Sequence, residues 1–279
     1  MAIRMVVTDL DGTLLKNDST VGSNDLETLT ELGNSGVVRV AATGRSIYTA
    51  AQVLEPNFPI DYLVFSTGSG VMEWRSKELV VVKQLEIEEV NFIAQILVAN
   101  QFDFMIHEAI PKNHMFQFHA SGNPNLDFER RCEHYNGFST PFIPGVYFPE
   151  ASTQILIILR PDQAEREVYV RNLLKDFSII KATSPFDKES IWLEIFPVGV
   201  SKAHGIDWIS NLTGIKPSEI VAVGNDYNDL EMLDHAAHSY VVANAPSDML
   251  ERYKNTESNE HSGFSKAVAA ALVNENELT

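Results

Sequence analysis

Short apolar runs alternate with amphipathic helical stretches over the first eighty residues of the chain. Residues 5–8 form an apolar, β-branched run that predicts a strand over residues 3–8, leucines recur at helical spacing within residues 23–34, and a second strand is predicted over residues 37–42. A helix over residues 46–54 and a strand over residues 62–65 continue the series. Alternation of strand and helix is typical of a parallel sheet with crossover helices. We therefore predict a parallel sheet for this part of the chain.

The pattern changes near residue 82. A helical stretch over residues 86–100 precedes two alternating segments, 102–110 and 115–119, which predict an antiparallel hairpin around Pro111-Lys112-Asn113. Helices over residues 126–134 and 162–175 and a strand over residues 154–160 follow. After Val200 the helix–strand alternation returns. The prediction is an α/β protein whose Rossmann-like parallel-sheet core comprises residues 1–81 and 189–279, with an inserted α+β cap domain at residues 82–188.

Composition and charge narrow the possible partners. The chain of 279 residues has 21 Lys and Arg against 38 Asp and Glu, a formal net charge of −17. Because no basic block interrupts this excess, nucleic acid and anionic membrane surfaces are disfavoured as partners. The single cysteine, Cys132, excludes an intramolecular disulfide, and no signal-like or membrane-length apolar run is present. We expect a cytoplasmic protein, monomeric or a small homo-oligomer.

The first candidate for chemistry is the segment Asp9-Leu-Asp11-Gly-Thr, directly after the first strand. Ligands of open α/β sheets bind at the carboxyl ends of the strands, where this segment is predicted to lie. Two close carboxylates are costly unless a cation offsets their repulsion, so Asp9 and Asp11 favour a divalent metal site. The alternative is an ordinary Asp-Gly turn.

Two further polar segments follow predicted strands. A phosphate-binding site is one interpretation of the residues after 37–42, which offer the Thr43 hydroxyl, the amides around Gly44 and the Arg45 guanidinium. The alternative is a helix N-cap at Thr43 beside a surface arginine. Residues 224–229, Gly-Asn-Asp-Tyr-Asn-Asp, follow an apolar run and supply hard oxygen ligands suited to Mg²⁺, or alternatively a polar turn that caps a helix.

In this order and spacing, the segments resemble the haloacid dehalogenase superfamily of phosphohydrolases. Asp9-x-Asp11-Gly-Thr13 is similar to the first motif of that family, Thr43 to the second, Lys202 to the third and residues 224–229 to the fourth. The run over residues 193–202 and the Ala-Thr-Gly-Arg at residues 42–45 resemble the Cof-type sugar phosphatase branch. The resemblance covers nearly the whole chain.

The resemblance implies a Mg²⁺-dependent phosphatase acting on small phosphorylated metabolites, most of all sugar phosphates. Asp9 would be the nucleophile that becomes an aspartyl-phosphate, and Asp11 the general acid and base. Mg²⁺ would be held by the Asp9 carboxylate, the Asp11 carbonyl and a side chain of the fourth motif. The residues implied in binding phosphate or substrate are Thr43, Gly44, Arg45, Lys202 and Asn228.

Two departures from the family pattern leave alternatives open. Asn225 stands where the fourth motif usually has an aspartate, so the metal ligand there is Asn225, with Asp229 in the outer shell, or Asp226. Ser66 and Thr67 stand where an asparagine is common, and its role falls to one of them or is absent. A sugar phosphomutase, or a non-catalytic protein that binds phosphometabolites, remains an alternative function.

Overall fold

The computed structural model describes residues 3–276, which form two compact units. The core unit comprises residues 3–45, 49–81 and 201–276, and the inserted unit comprises residues 46–48 and 82–200. None of the helices within residues 3–276 combines the length and the apolar character that crossing a membrane requires. The predicted α/β class with an α+β insertion is therefore confirmed at the level of the fold.

Within the described residues, the core unit contains an eight-stranded sheet in the order β14-β13-β12-β1-β2-β3-β4-β5. Its strands, numbered along the chain, are β1 (Met5–Thr8), β2 (Val38–Ala42), β3 (Tyr62–Phe65), β4 (Gly70–Glu73), β5 (Glu78–Val82), β12 (Ile220–Gly224), β13 (His238–Val242) and β14 (Lys254–Thr256). β1 pairs in parallel with both β2 and β12, so that three segments distant in sequence end at one edge of the sheet. That edge carries the candidate site.

The prediction that the first eighty residues form only parallel strands is wrong for β4. This strand pairs antiparallel with β3. The chain reverses through a tight turn at Ser66–Gly68, in which all three residues have positive φ. Such a turn leaves too few residues for the crossover that a parallel connection requires.

The helices of the core unit and its border are α1 (Ser23–Asn34), α2 (Ile47–Ala50), α6 (Lys202–Thr213), α7 (Leu230–His235), α8 (Ser247–Arg252) and α9 (Gly263–Asn276). α2 is shorter than the predicted helix over residues 46–54, because the Val53 N–H donates to the Ala50 carbonyl in a tighter turn. Apolar side chains of α6 and α7, such as Ile206 and Met232, pack with those of β1 and β2 in one buried cluster. Their burial stabilises the sheet that holds the site.

The inserted unit has a sheet of its own, with six strands among the described residues in the order β10-β11-β9-β6-β7-β8. The strands are β6 (Phe104–His107), β7 (Phe116–His119), β8 (Ser139–Pro141), β9 (Ile155–Leu159), β10 (Ser178–Thr183) and β11 (Ile191–Phe196). The helices are α3 (Ile87–Ala99), α4 (Leu126–His134) and α5 (Arg166–Leu173).

Most element predictions for this unit agree with the structure. β6 and β7 form the predicted antiparallel hairpin, and α4 has the predicted limits of 126 and 134. The helix predicted over residues 162–175 is shorter, since a separate turn at Pro161–Gln163 precedes α5. The unit ends at Val200 rather than at residue 188, because β11 pairs with both β9 and β10.

Candidate active site

Asp9 lies at the carboxyl end of β1 and is almost completely buried, with 5% of its surface exposed. Its backbone N–H donates to the Val223 carbonyl of β12 at 3.0 Å, which continues the parallel ladder by one residue. In the same ladders Thr8 is opposite Ala41 of β2 and Val223 of β12. Asp9 is therefore adjacent to the segments that begin at Thr43 and Gly224.

Lys202, the first residue of α6, provides a fully buried ammonium group at this edge. Its Nζ donates to Asp9 Oδ1 at 2.6 Å and to Asp229 Oδ1 at 2.6 Å, and it lies 3.5 Å from Asn228 Oδ1. Burial by itself lowers the pKa of Lys202, but the carboxylates of Asp229 and Asp9 raise it above its ordinary value. The side chain therefore remains a cation at every pH relevant to catalysis.

Asp229 organises the turn that follows β12. Its Oδ2 accepts the backbone N–H groups of Asn225 at 2.8 Å and of Asp226 at 3.1 Å, while its Oδ1 accepts from Lys202. A Cβ on Gly224 would lie 2.7 Å from the Asp229 carboxyl group, so this close packing requires glycine at position 224. Because both of its oxygens already accept hydrogen bonds, Asp229 stabilises the turn and holds the Lys202 ammonium in position.

Three polar groups converge beside Asp9. One end of the Asn225 side-chain amide lies 3.1 Å from the Asp11 carbonyl oxygen, 3.2 Å from Asp9 Oδ2 and 3.1 Å from Thr13 Oγ1. With its nitrogen at this end, the amide donates hydrogen bonds to these oxygens. With its oxygen at this end, the amide oxygen of Asn225 faces the Asp11 carbonyl oxygen and Asp9 Oδ2. No hydrogen bond then joins these oxygens, because the amide and carbonyl oxygens carry no proton.

The convergence of these oxygens fits a small divalent cation. Neighbouring ligands of an octahedral Mg²⁺ lie roughly 3 Å apart when the metal–oxygen bonds are about 2.0–2.1 Å. The observed separations of 3.1 and 3.2 Å are close to that spacing. Among residues 3–276, no group of three or more His, Cys, Asp or Glu side chains is placed to hold a metal. The oxygens beside Asp9 come instead from one carboxylate, one backbone carbonyl and one side-chain amide.

The raised pKa of Asp9 also favours a cation at this site. Burial raises the pKa of Asp9 to about 7; the Lys202 ammonium opposes this rise, and the carboxylates of Asp229 and Asp11 add to it. A carboxylate that acts at neutral pH must be ionised, so one lysine shared by two buried aspartates is insufficient by itself. A second cation beside Asp9 would favour its ionised form.

The side chain of Asp11 pairs with Arg45, whereas Asp9 pairs with Lys202. Arg45 binds it through two hydrogen bonds, from Nε to Oδ2 at 2.7 Å and from Nη2 to Oδ1 at 2.6 Å. Arg45 also donates from Nη1 to the Thr49 carbonyl at 3.1 Å. Arg45 was expected at a phosphate or substrate group, whereas the structure places its guanidinium on Asp11, which is about half exposed.

Four polar groups surround Gly44. The Thr43 hydroxyl oxygen accepts the Arg45 backbone N–H at 3.1 Å, so its own proton remains available to another acceptor. A Cβ on Gly44 would lie 3.5 Å from Thr67 Oγ1 and 3.7 Å from Asn228 Nδ2. The Thr43 and Thr67 hydroxyls and the Asn228 amide therefore lie close to Gly44, and these are chemical groups that phosphate-binding sites use.

The structure thus brings most of the predicted site residues together. Lys202 and Asn225 contact Asp9, the Asp11 carbonyl lies beside Asn225, and Asn228 and Asp229 contact Lys202. Asp226 contributes a backbone N–H to Asp229. Sequence reasoning gave Thr67 no definite role, and it did not identify Asn244, whose Nδ2 donates to the Gly12 carbonyl at 2.8 Å. No local motif marks that contact, because 232 residues separate its partners.

Comparisons with known proteins identify the family of the chain. A family model described as haloacid dehalogenase-like hydrolase matches residues 6–268. The chain is 27% identical to the 5-amino-6-(5-phospho-D-ribitylamino)uracil phosphatase YitU of Bacillus subtilis, covering 94% of this chain and 95% of that protein. It is also 27% identical to the HMP-PP phosphatase of Serratia proteamaculans, covering 87% of this chain and 84% of that protein.

Among solved structures, the fold is similar to that of the subclass IIB sugar phosphatase BT4131. The TM-score is 0.76 at 22% sequence identity, and the match covers 96% of this chain and 98% of the other. At this identity the likeness concerns the fold. It extends over the core unit and the inserted unit alike, since almost the whole chain is matched.

Proposed function

The chain belongs to the haloacid dehalogenase-like hydrolase family, and from this premise we propose that it is a Mg²⁺-dependent phosphatase of small phosphorylated metabolites that reacts through an aspartyl-phosphate on Asp9. The observation that carries the proposal is the meeting of the Lys202 ammonium and of one end of the Asn225 side-chain amide at the buried Asp9 carboxylate, with the Asp11 carbonyl oxygen beside the same end of that amide. The ammonium, and a cation held among these oxygens, would both favour a carboxylate that must stay ionised beside an anionic phosphate.

In the first step, a carboxylate oxygen of Asp9 attacks phosphorus, and the bond between phosphorus and the ester oxygen of the leaving group breaks. The leaving oxygen takes a proton from Asp11, which lies two residues along the loop. In the second step, water attacks the phosphorus of the aspartyl-phosphate while Asp11 accepts its proton. Inorganic phosphate is released, and Asp9 returns to its ionised form.

The remaining residues bind and orient. Lys202 offsets the negative charge shared by Asp9 and the phosphoryl group, and it is held in place by Asp229. Thr43, the amides at Gly44 and Asn228 Nδ2 donate to phosphoryl oxygens. Mg²⁺, held by Asp9 Oδ2, the Asp11 carbonyl and the Asn225 amide oxygen, would neutralise charge on the phosphoryl group and on its nucleophile. Asp226 and Asp229 are not proposed as direct ligands.

Arg45 has a role that depends on Asp11. Its guanidinium donates hydrogen bonds to both carboxylate oxygens of Asp11. A phosphate dianion is a strong competitor for a guanidinium, so arrival of the substrate would draw Arg45 away and leave Asp11 free to take part in proton transfer. Arg45 is thus proposed to orient Asp11 before binding and to contact the substrate afterwards.

The substrate class follows from the relatives. The names of the two matched phosphatases specify a phosphoribityl compound and HMP-PP, and the fold match is a sugar phosphatase. We propose phosphate monoesters of polyhydroxylated metabolites, with sugar phosphates first among them. Proteins of this fold discriminate among leaving groups by differences in transition-state binding.

The proposal is tested by phosphate release from a panel of sugar phosphates, nucleotides and phospho-acids, with Mg²⁺ and with EDTA. We expect release that needs Mg²⁺ and that falls by about 10⁴-fold or more in Asp9→Asn, which keeps the shape of the side chain but removes the nucleophile. Asp18→Asn is the matched control, because Asp18 is exposed and its carboxylate accepts hydrogen bonds from Thr20.

Three results would contradict the proposal in different ways. Turnover by Asp9→Asn close to that of the wild type would remove the nucleophile assignment. Isomerisation of a sugar phosphate without free phosphate would identify a mutase. If the folded, metal-loaded protein released no phosphate from any compound of the panel, a binding protein that has kept the fold would be favoured.

A further inference from the structure

The loop that follows Asp9 is tied to the C-terminal part of the core unit by two asparagine side chains. Asn244 Nδ2 donates to the Gly12 carbonyl at 2.8 Å, and Asn259 Nδ2 donates to the Leu15 carbonyl at 3.0 Å. The two asparagines are joined to each other, since the Asn259 N–H donates to Asn244 Oδ1 at 3.2 Å. We call Asn244 and Asn259 the asparagine bridge.

The bridge is built from segments that the sheet holds in place. Asn244 comes two residues after β13, and Asn259 begins the turn Asn259–His261 after β14. Asn259 is buried, with 3% of its surface exposed, so loss of its partners would leave a polar group without water to replace them. The bridge therefore fixes the loop against a rigid part of the molecule.

The carbonyl held by Asn244 is one peptide away from the Asp11 carbonyl that faces Asn225. Between the two peptide planes lies Gly12, with φ of +77°. Once the Gly12 carbonyl is fixed, only the φ and ψ of Gly12 determine where the Asp11 carbonyl points. The space is tight as well, because a Cβ on Gly12 would lie 2.6 Å from Asn225 Nδ2.

We propose that Asn244 is a positioning residue for the metal site: by holding the Gly12 carbonyl it directs the Asp11 carbonyl toward Asn225 and Asp9, and Asn259 orients Asn244 for this task. The inference rests on the proposed Mg²⁺ site. Asn244 acts through the loop, because its side chain forms hydrogen bonds with the Gly12 carbonyl and with the Asn259 N–H. Groups that orient metal ligands from outside typically change metal affinity by 10–100-fold.

The direct test is Mn²⁺ binding to the substrate-free full chain, measured by the electron paramagnetic resonance signal of free Mn²⁺. We expect Asn244→Ala and Asn244→Asp to bind Mn²⁺ about 10- to 100-fold more weakly than the wild type. Asn244→Asp keeps the shape of the side chain and the acceptor for Asn259, loses the donor to Gly12 and adds a negative charge. The controls are Asn255→Ala and Asn255→Asp, at an exposed position of β14, which test for general effects of a substitution and of an added charge. Their Mn²⁺ dissociation constants should stay within twofold of the wild-type value.

A second readout separates positioning from simple stabilisation. The apparent Mg²⁺ requirement for phosphate release should rise by the same factor as the Mn²⁺ dissociation constant, while KM for the substrate at saturating Mg²⁺ stays within about twofold. Unchanged Mn²⁺ affinity in a folded Asn244→Asp protein, with a lower melting temperature, would overturn the inference and leave the bridge a structural feature.

Failure of the inference is distinguishable from failure of the proposed function. If the wild type binds Mn²⁺ and the Asn244 variants bind it equally well, only the positioning role is overturned. If the wild type itself binds no Mn²⁺, the metal site and the positioning role are both overturned.

Discussion

At the scale of the residue, position 225 determines the charge of the proposed metal site. The Asn225 amide lies within 3.2 Å of Asp9 Oδ2 and of the Asp11 carbonyl, in the place where a carboxylate would add a second negative ligand. The same end of the Asn225 amide lies 3.1 Å from Thr13 Oγ1. A neutral ligand limits repulsion beside Asp9, whose pKa burial already raises to about 7, and it lowers the attraction for a divalent cation.

Asn225→Asp tests this balance. The substitution adds a charged oxygen ligand, so we expect Mg²⁺ to bind about tenfold more tightly, a gain of about 1.4 kcal/mol. Without metal, the new carboxylate repels Asp9 and the melting temperature should fall below that of the wild type. Isothermal titration with Mg²⁺ and thermal unfolding with EDTA measure the two effects, and weaker Mg²⁺ binding by the variant would argue against Asn225 as a ligand.

At the scale of the element, the start of α6 depends on the turn at Ser66–Gly68. Gly68 has φ of +101°, and a Cβ there would lie 2.0 Å from the Ser201 carbonyl oxygen and 3.2 Å from the Lys202 nitrogen. Ser201 is the N-cap of α6, and its hydroxyl accepts the His204 N–H. The turn between β3 and β4 therefore determines where α6 begins and where Lys202 enters the site.

Gly68→Ala should be far more damaging than an ordinary glycine substitution. The left-handed backbone costs about 1–2 kcal/mol and the clash with Ser201 adds to it, so we expect a loss of about 3–5 kcal/mol. Gly36→Ala is the matched control, because Gly36 also has positive φ but no atom within 4 Å of the added Cβ. Urea unfolding and kcat report the outcome, and equal losses in the two variants would show that the close approach is unimportant.

Another element-scale feature is His107 at the end of β6. Its Nδ1 lies 2.8 Å from the Asn113 carbonyl oxygen and donates to it. Burial, with smaller contributions from the neighbouring Arg131 and His114, lowers its pKa to about 3, and the hydrogen bond to Asn113 opposes this shift. The imidazole is therefore neutral in the folded inserted unit.

This neutral imidazole makes stability depend on pH. In the unfolded chain the histidine binds a proton below pH 6.5, whereas the folded one does so only near pH 3. Stability is therefore lost as the pH falls through this window, by about 1.4 kcal/mol per unit. From pH 7.5 to 5.0, the wild type should lose about 2 kcal/mol more than His107→Asn, which keeps a donor for Asn113.

Urea unfolding at the two pH values measures that difference. His261→Asn, at an exposed site, is the control and should lose as much as the wild type. If His107→Asn and the wild type were to lose equal stability between the two pH values, the buried neutral imidazole would have no part in the acid sensitivity.

At the scale of the whole molecule, the two units have separate hydrophobic cores. One cluster joins β1, β2, α6 and α7 in the core unit, and others join the strands of the inserted unit to α3, α4 and α5. The proposed metal site lies entirely within the core unit. The three tryptophans are also divided, with Trp74 and Trp208 in the core unit and Trp192 in the inserted unit.

This division predicts that Mg²⁺ stabilises one unit alone. In a Trp192→Phe variant, fluorescence follows the core unit, and Mg²⁺ at 100 times its dissociation constant should stabilise it by about 2.7 kcal/mol. In a Trp74→Phe, Trp208→Phe variant, fluorescence follows Trp192, and the urea midpoint should not move. Transitions that coincide and shift together would mean that the two units unfold as one cooperative body.

Much of the fold could be predicted because its elements are specified locally. The apolar runs of β1 and β12 and the helical spacing of α4 and α6 depend on residues within one or two turns of each other. Errors occurred where a few residues reverse the chain, as at Ser66–Gly68 before β4. There the outcome depends on packing against Ser201, more than a hundred residues away.

The sequence by itself determined which chemical groups stand at the ends of β1, β2 and β12, and the resemblance of their motifs determined the family. Only the tertiary structure decided which of those groups touch: Lys202 with Asp9 across 193 residues, Arg45 with Asp11, and Asn244 with the Gly12 carbonyl. The physical reason is that strand and helix patterns arise from near neighbours, whereas these contacts depend on the parallel pairing of β1 with β2 and β12, which brings distant segments to one edge of the sheet.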